Sequence, residues 1–335
     1  MKHIVCYSGG HSSALVAIEV ARKFGASNTV LLNHDMHHSV EHEDIKRFKQ
    51  DVADYLGVPI TFASRQDATQ DQFDVCVEAG AFKVNNGPML CTHRLKTEPF
   101  QNWLTLNDPE KTGVIYYGFD NTDKERVRMQ RRIGILAADG RKSDYPLALW
   151  TDRTIFSTEE IGIARPSTYS VFVHGNCVGC LKAGWQHWYI VYCQRPDIWV
   201  KGKWAEEEIG YAIHHDETGP VFLEDMEQKF EAMKRAGVPA TERIPHQRFW
   251  AQANRVIQIK AVAPDLPCDC HQSDFDFSEA VAAEGLIVMP MEGPAQTLLI
   301  AGGKTPDEAL GHEARHALQR WRHGVFMTNS EGVCE

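Results

Sequence analysis

The sequence lacks any run of about 18 apolar residues, the length that a helix needs to cross a bilayer. It also lacks a signal peptide pattern, because the chain enters a short apolar strand at His3. No internal repeat or low-complexity tract is present. These absences predict a cytoplasmic protein without a membrane partner. In that compartment the nine cysteines are expected to be core thiols, metal ligands or redox groups rather than a disulfide framework.

An excess of positive charge is also missing. The 335 residues carry a formal net charge of −10, which argues against a duplex-DNA-binding protein but leaves room for a local basic patch. Hydrophobic residues make up 43% of the chain, enough for a substantial core. The length is typical of about two domains.

Short apolar runs alternate with amphipathic segments over the first 63 residues. We predict strands at His3–Tyr7, Thr29–Asn33 and Val58–Ala63, and helices at Ser12–Phe24 and Glu43–Leu56. This βαβαβ order predicts a doubly wound α/β fold with a parallel sheet.

The later sequence is less regular. A further buried strand is predicted at Val114–Gly118 and a basic helix at Lys124–Leu136. We expect a nucleotide-binding domain over residues 1–205, a helical extension with a cysteine-containing loop over 206–272, and a small α+β appendage over 273–335.

A glycine turn joins the first strand to the first helix. Glycines at this place let the backbone approach an anion, and the amino end of the following helix supplies N–H groups and a positive dipole. Taken alone, the turn is equally consistent with a tight connection that binds nothing. Its residues are Ser8, Gly9, Gly10, His11, Ser12 and Ser13.

This turn resembles the PP-loop of the superfamily of ATP pyrophosphatases and phosphoadenylylsulfate (PAPS) reductases, typically Ser-Gly-Gly-x-Asp-Ser. Ser12 stands where many members have Asp. The resemblance therefore does not imply metal-assisted ATP cleavage like that of the members with Asp. Four other stretches resemble the family's motifs in the same order, so that the resemblance covers about residues 1–200. They are Leu31–Asp35, Leu90–Pro99, Gly118–Arg126 and Tyr145–Thr151.

The resemblance implies that the glycine turn and Gly118 bind an adenine nucleotide, either ATP or an adenylyl sulfate. It also implies that Asp35 lies beside the adenosine. Arg94 is expected to contact the anionic ligand, and Lys96 and Arg126 are expected to act in catalysis, since guanidinium and ammonium groups bind phosphate or sulfate. Arg128 is a further candidate anion partner, whereas Arg131 and Arg132 are expected to form a solvated helix face.

Three cysteines form a second constellation. Cys91 precedes a Leu-Lys pair, and Cys177 and Cys180 form a C-x-x-C loop. Adenylylsulfate reductases and related sulfur-transfer enzymes have a similar set that binds a [4Fe-4S] cluster, so the resemblance implies a cluster at these thiols. Alternatives are a cluster in which one iron has no protein ligand, a zinc ion, or no metal. Candidates for a fourth ligand are Cys193, Cys268, Cys270 and His174, with His93 also considered for zinc.

The remaining thiols and histidines give weaker signals. Cys6 and Cys76 are predicted to be core thiols. Cys268 lies three residues before His271, a spacing faintly similar to the catalytic cysteine of sulfonucleotide reductases, and is therefore a candidate nucleophile. A metal at the histidine cluster is a further alternative to adenosine binding there. That cluster comprises His34, His37, His38 and His42.

A third constellation lies near the carboxyl terminus. His312 and His316 flank Glu313 in an H-E-x-x-H pattern, which on a helix places both imidazoles on one face for zinc, with the glutamate as general base. Surface histidines on an amphipathic helix explain the same pattern without metal.

The preferred function is an enzyme of the PAPS-reductase type that carries out sulfur transfer or sulfonucleotide reduction. It is expected to need a sulfur- or electron-donor protein, with a nucleic acid among the candidate acceptors and a homodimer as a candidate assembly. Alternatives are a nucleotide- or cluster-sensing module without turnover, and a zinc peptidase using His312 and His316.

Overall fold

The computed structural model describes residues 1–64, 69–83, 89–175, 177–217 and 219–262, together with four short strands beyond them. The chain divides into two compact units. The first comprises Met1–Lys234 with Pro239–Ile244, and the second comprises Arg235–Val238 with Pro245–Glu335. The predicted boundary between residues 205 and 206 falls inside a helix of the first unit.

A five-stranded parallel sheet forms the centre of the first unit, in the order β3-β2-β1-β4-β5. β1 pairs with β2 from His3 opposite Thr29, and with β4 from His3 opposite Val114. The doubly wound α/β class predicted from the sequence is therefore confirmed. The strands are β1 His3–Cys6, β2 Thr29–Asn33, β3 Ile60–Phe62, β4 Val114–Tyr116 and β5 Lys142–Asp144.

Helices cover both faces of this sheet. Successive residues of a strand point to opposite faces, and in β1 this gives two cores: Val5 packs with residues of α1 and α2, whereas Ile4 packs with residues of α5 and α6. The α-helices between residues 11 and 149 are α1 His11–Phe24, α2 Glu43–Leu56, α3 Gln72–Glu78, α4 Leu90–Thr92, α5 Glu98–Asn107, α6 Asp123–Ala138 and α7 Pro146–Leu149.

A π-helical segment, His93–Thr97, joins α4 to α5, so that Leu90–Asn107 is helical throughout. Later elements of the first unit are α8 Trp185–Gln194, α9 Pro196–Ile209, the antiparallel pair β6 His214–Asp216 and β7 Gly219–Val221, and α10 Leu223–Arg235, whose last residue belongs to the second unit. Single 3-10 turns occur at Ala26–Asn28, Thr158–Ile161 and Ser167–Ser170.

In its described residues, the second unit contains one long helix and two strand pairs. Two apolar runs of the predicted appendage, β8 and β9 below, form an antiparallel pair. The elements are α11 His246–Val262, β8 Leu286–Pro290, β9 Thr297–Ala301, β10 Met327–Asn329 and β11 Gly332–Val333. Across the described residues of both units, no helix has the length and apolar character required to cross a bilayer.

Candidate functional site

The candidate site lies where the strand order of the sheet reverses. β1 and β4 are neighbours although they are distant in sequence, and the connections after them run to opposite faces. In open parallel sheets the carboxyl ends of such strands border a crevice that binds ligands. Here β1 leads into the glycine turn and β4 leads into Gly118.

The glycine turn depends on two glycines, one for its backbone conformation and one for a close backbone approach. Gly9 has φ +84°, a left-handed conformation that favours glycine. A Cβ on Gly118 would lie 3.0 Å from the carbonyl carbon of Ser12 and from the nitrogen of Ser13, so the β4 loop presses against the first turn of α1. The Ser13 hydroxyl donates to the Gly10 carbonyl at 2.8 Å and accepts from Ser8 at 3.2 Å. The turn is thus fixed from both sides.

One N–H group of this turn already has a partner. The His11 amide donates to the Tyr169 hydroxyl at 3.0 Å, and the His11 ring accepts from the Thr158 amide at 3.3 Å. Burial lowers the pKa of His11, so its ring is neutral at pH 7. The Ser8 and Ser12 side chains remain exposed at the mouth of the turn.

A buried lysine packs against the glycine turn. Lys49 of α2 is 3% exposed, and its Nζ lies 2.8 Å and 2.9 Å from the carboxylate oxygens of Glu41 and 3.3 Å from Oδ1 of Asn33. A Cβ on Gly9 would lie 2.7 Å from the Lys49 stem. Asn33 in turn donates to the Tyr7 carbonyl. This network holds the backbone that enters the glycine turn.

The three predicted sulfur residues act electrostatically on Lys96. The charge of Cys177 raises the pKa of the Lys96 ammonium, and those of Cys180 and Cys91 act in the same direction. Burial raises the pKa of the Cys177 thiol, against the effect of Lys96. All four side chains keep accessible surface, so none of them belongs to the core.

Cys76 is the partner of Cys91. The prediction of a buried thiol is confirmed, since Cys76 is 0% exposed, but its thiol is hydrogen-bonded to Cys91. That hydrogen bond lowers the pKa of Cys91 to about 7, and the charges of Lys96 and Lys182 assist. The hydrogen bond therefore favours the thiolate of Cys91, the form that attacks electrophiles and binds metals.

The C-x-x-C loop is held by its backbone. The Val178 amide donates to the Val40 carbonyl at 2.8 Å, and the side-chain amide of Gln72 donates to the Val178 carbonyl at 2.8 Å. The Gly179 amide donates to the His187 ring at 3.2 Å, and the other ring nitrogen of His187 lies 2.9 Å from Glu242. The positions of the two thiols are thus set without using their sulfurs.

The same segment reaches the glycine turn. A Cβ on Gly175 would lie 3.5 Å from the Gly10 Cα and 3.6 Å from the Tyr169 hydroxyl. Gly175 lies two positions before Cys177 in the chain, so the thiol loop and the glycine turn border one another. Both motifs are visible in the sequence, whereas Tyr169, Cys76 and Lys182 lie outside them and were not predicted as site residues.

The other predicted contact residues lie further out. Asp35 is exposed after β2, and its amide donates to the Ser64 hydroxyl at 2.9 Å. Arg94 pairs with Glu98 at 3.3 Å. Arg94 also lines an open pocket of about 680 Å³ beside Trp103, which does not include the glycine turn or the thiols. Arg126 is exposed and donates to Asn121 at 2.8 Å.

A metal ion has no complete ligand set in the part of the chain that the structure describes. No three His, Cys, Asp or Glu side chains lie close enough together there to hold one, including the predicted histidine cluster. Cys91, Cys177 and Cys180 fit an iron–sulfur cluster in kind, because thiolates are its usual ligands, but they do not close a ligand sphere. The predictions for Cys268, His271, His312, Glu313 and His316 lie outside the described residues.

No protein-family model, curated protein or solved structure matches this chain.

Proposed function

We propose that this chain is an enzyme of the PP-loop, PAPS-reductase type, which binds ATP or an adenylyl sulfate at the glycine turn and carries out sulfur transfer or sulfonucleotide reduction at the neighbouring thiols. The observation that carries the proposal is the shared border of the two motifs. Gly175 lies against Gly10, and the same loop supplies Cys177 and Cys180. A nucleotide bound at the turn would therefore have thiols beside it.

The nucleotide end would act by binding and orientation. The free N–H groups and the dipole of α1 favour the negative charge of phosphate or sulfate. Ser8 and Ser12 offer exposed hydroxyl donors. Because these groups are fixed before a ligand arrives, they stabilise developing charge without reorganisation, and such stabilisation supplies much of the rate enhancement in many group-transfer enzymes.

The thiol end would act by nucleophilicity and charge. The lowered pKa of Cys91 favours its thiolate, and the raised pKa of Lys96 favours an ammonium group that can neutralise an anionic sulfur or phosphate group. Cys91, Cys177 and Cys180 would hold a [4Fe-4S] cluster, with zinc as the alternative metal. Such a cluster would supply electrons or an iron site for sulfur.

Metal and product analysis tests the thiol end. We expect anaerobically purified protein to contain about four irons per chain, to lose them in Cys177→Ser, and to keep them in the control Cys193→Ser, since the Cys193 thiol is hydrogen-bonded to Tyr189 of its own helix, α8. Adenylation predicts AMP and pyrophosphate, whereas reduction predicts sulfite. Zinc without iron, or no metal in any variant, would refute the cluster.

Paired glycine substitutions test the nucleotide end. Gly118→Ala places a methyl group 3.0 Å from the backbone of the first turn of α1, and we expect ATP affinity to fall about tenfold as the turn shifts. Gly134→Ala in α6 meets nothing within 4 Å and should leave affinity unchanged. Calorimetric titration with ATP measures both. Equal affinities in the two variants would place the nucleotide elsewhere.

A second candidate is a nucleotide-binding module without turnover. It is favoured by Tyr169, whose hydroxyl already accepts the His11 amide, and by Ser12 in place of the acidic residue. Tight ATP binding without AMP, pyrophosphate or sulfite would support this candidate over the enzyme.

A further inference from the structure

Helix α6 is poorly covered by the rest of the described structure. Of its 16 residues only Leu136 is buried there. Val127 is 67% exposed and Ile135 46% exposed. A helix of this length normally buries a wide apolar face against its neighbours. α6 therefore presents most of its circumference to solvent or to a partner.

The exposed surface of α6 is basic although the chain is acidic. The helix contains five basic and two acidic residues, in a protein whose net charge is −10. Four of the basic residues are spaced at i, i+4, i+7 and i+8, so they lie along one side of the helix. We call this set the basic stripe: Lys124, Arg128, Arg131 and Arg132.

Aromatic rings fix two guanidinium groups of the basic stripe. Tyr117, Phe119 and Tyr145 stack with centroid separations of 5.5–6.0 Å. Arg128 lies 4.8 Å from the centroid of Phe119, and Arg132 lies 5.4 Å from that of Tyr117. Of the two arginines expected on a solvated helix face, Arg131 is exposed, whereas Arg132 is half-buried with its guanidinium over a ring.

The basic stripe borders the glycine turn. Phe119 and Tyr117, the rings against which Arg128 and Arg132 pack, flank Gly118, on which a Cβ would lie 3.0 Å from the backbone of Ser12 and Ser13. Tyr117, beneath Arg132, is hydrogen-bonded to Cys6 at the end of β1. A ligand lying along the stripe would thus pass the mouth of the candidate site.

We propose that the basic stripe binds the phosphate backbone of a nucleic-acid strand, and that this strand is the sulfur acceptor. The assignment of this strand as the sulfur acceptor rests on the proposed function. Arginine binds phosphate bidentately, and the stripe extends roughly 12 Å along the helix at 1.5 Å per residue, enough for successive phosphates. A polymer substrate explains why the positive charge is arranged in a line beside the glycine turn.

The test is fluorescence anisotropy with short labelled RNA, single-stranded DNA and duplex DNA of one sequence, without ATP. Lys124 and Arg131 make no ion pair within the described residues, so reversing their charge leaves no partner unpaired. We expect Lys124→Glu/Arg131→Glu to weaken binding at least about tenfold and to reduce the salt slope by about 1.4 for a single strand. The three probes distinguish RNA from DNA.

The matched control is Lys142→Glu/Arg243→Glu, which reverses two exposed charges outside α6 and should bind like the parent protein. The stripe proposal is overturned if the parent binds none of the probes at about 50 mM salt, or if the α6 variant binds as tightly as the parent. It is also overturned if sedimentation shows that the α6 variant dissociates a dimer while nucleic acid does not bind, since the stripe would then join two copies. Nucleic-acid binding without any AMP, pyrophosphate or sulfite would refute the proposed function and leave the stripe intact.

Discussion

Two buried ion pairs lie at opposite ends of the parallel strands. We call the side of the sheet where the strands begin the amino edge and the side where they end the carboxyl edge. At the amino edge, Arg141 before β5 contacts Asp108 at 2.7 Å, and the two side chains are 4% and 5% exposed. At the carboxyl edge, Lys49 contacts Glu41 at 2.8 Å, with exposures of 4% and 10%. In distance and burial the two pairs are nearly alike.

Their surroundings differ. Asp108 also accepts the Thr112 and Gly113 amides, at 3.1 Å and 3.2 Å, and Arg141 is further paired with Asp139, so this pair closes the loops that lead into β4 and β5. The Lys49 pair instead supports Gly9, and the Glu41 charge also acts on Lys96.

The same kind of interaction therefore serves two purposes in this protein. A buried ion pair offers little net stability, because desolvation offsets its attraction, but losing one partner leaves an uncompensated charge. At the amino edge that penalty maintains the fold alone. At the carboxyl edge we expect it to maintain both the fold and the shape of the glycine turn.

The largest effect is expected at the amino edge. Arg141→Met leaves Asp108 charged and buried, and should lower the free energy of unfolding by about 3–5 kcal/mol, measured by urea denaturation. Lys111→Met is the control, since its pair with Asp139 is largely exposed and should cost under about 1 kcal/mol. Similar losses in both variants would show that the Arg141 pair is not special.

A somewhat smaller loss of stability, about 3 kcal/mol, is expected for Lys49→Met. Methionine keeps part of the stem beside Gly9 but leaves Glu41 unpaired, so we also expect ATP affinity to fall about tenfold in the folded protein. Calorimetry on Lys49→Met and Arg141→Met makes the comparison directly. If both variants bind ATP like the parent, the two edges are equivalent and the distinction fails.

The smallest effect concerns reactivity at the carboxyl edge and leaves the fold unchanged. In metal-free protein, Cys91 should react with iodoacetamide with a midpoint near pH 7, since its pKa is lowered to about 7, and the rate should fall about tenfold per pH unit below that. Cys76→Ala removes the hydrogen bond and should move the midpoint upward. Peptide mass spectrometry gives the rates.

Cys6 is the internal reference for this experiment, because burial raises its pKa to about 12 and it should stay unmodified at neutral pH. Equal rates for Cys91 and Cys6, or a Cys91 profile that Cys76→Ala does not move, would remove the evidence that this edge activates a thiol.

Much of the sheet could be predicted from sequence. Strand β2 and helix α2 have the predicted bounds, because each combines a clear apolar pattern with a glycine or asparagine at its end. Strand β5 was missed because Lys142–Asp144 contains no apolar residue. It is an edge strand, defined by its pairing with β4 rather than by burial.

The site was predictable only where its chemistry is contiguous in sequence. The glycine turn and the C-x-x-C loop are visible as motifs, but Tyr169 and Cys76 join them through tertiary contacts from distant segments. Nothing in the local sequence of Gln72 or His187 indicates that they hold the thiol loop. Such supporting residues are set by packing, which periodicity does not encode.

The π-helical segment between α4 and α5 has a consequence for chain length. A π turn contains one residue more than an α turn, and each residue of an α-helix advances the phase by about 100°. Deleting one residue within His93–Thr97 would restore a regular α-helix from Leu90 to Asn107. It would also rotate Leu90–Thr92 by about a quarter turn relative to α5. The direction in which Cys91 projects from the helix, relative to α5, is therefore a matter of helical phase, set by a single extra residue.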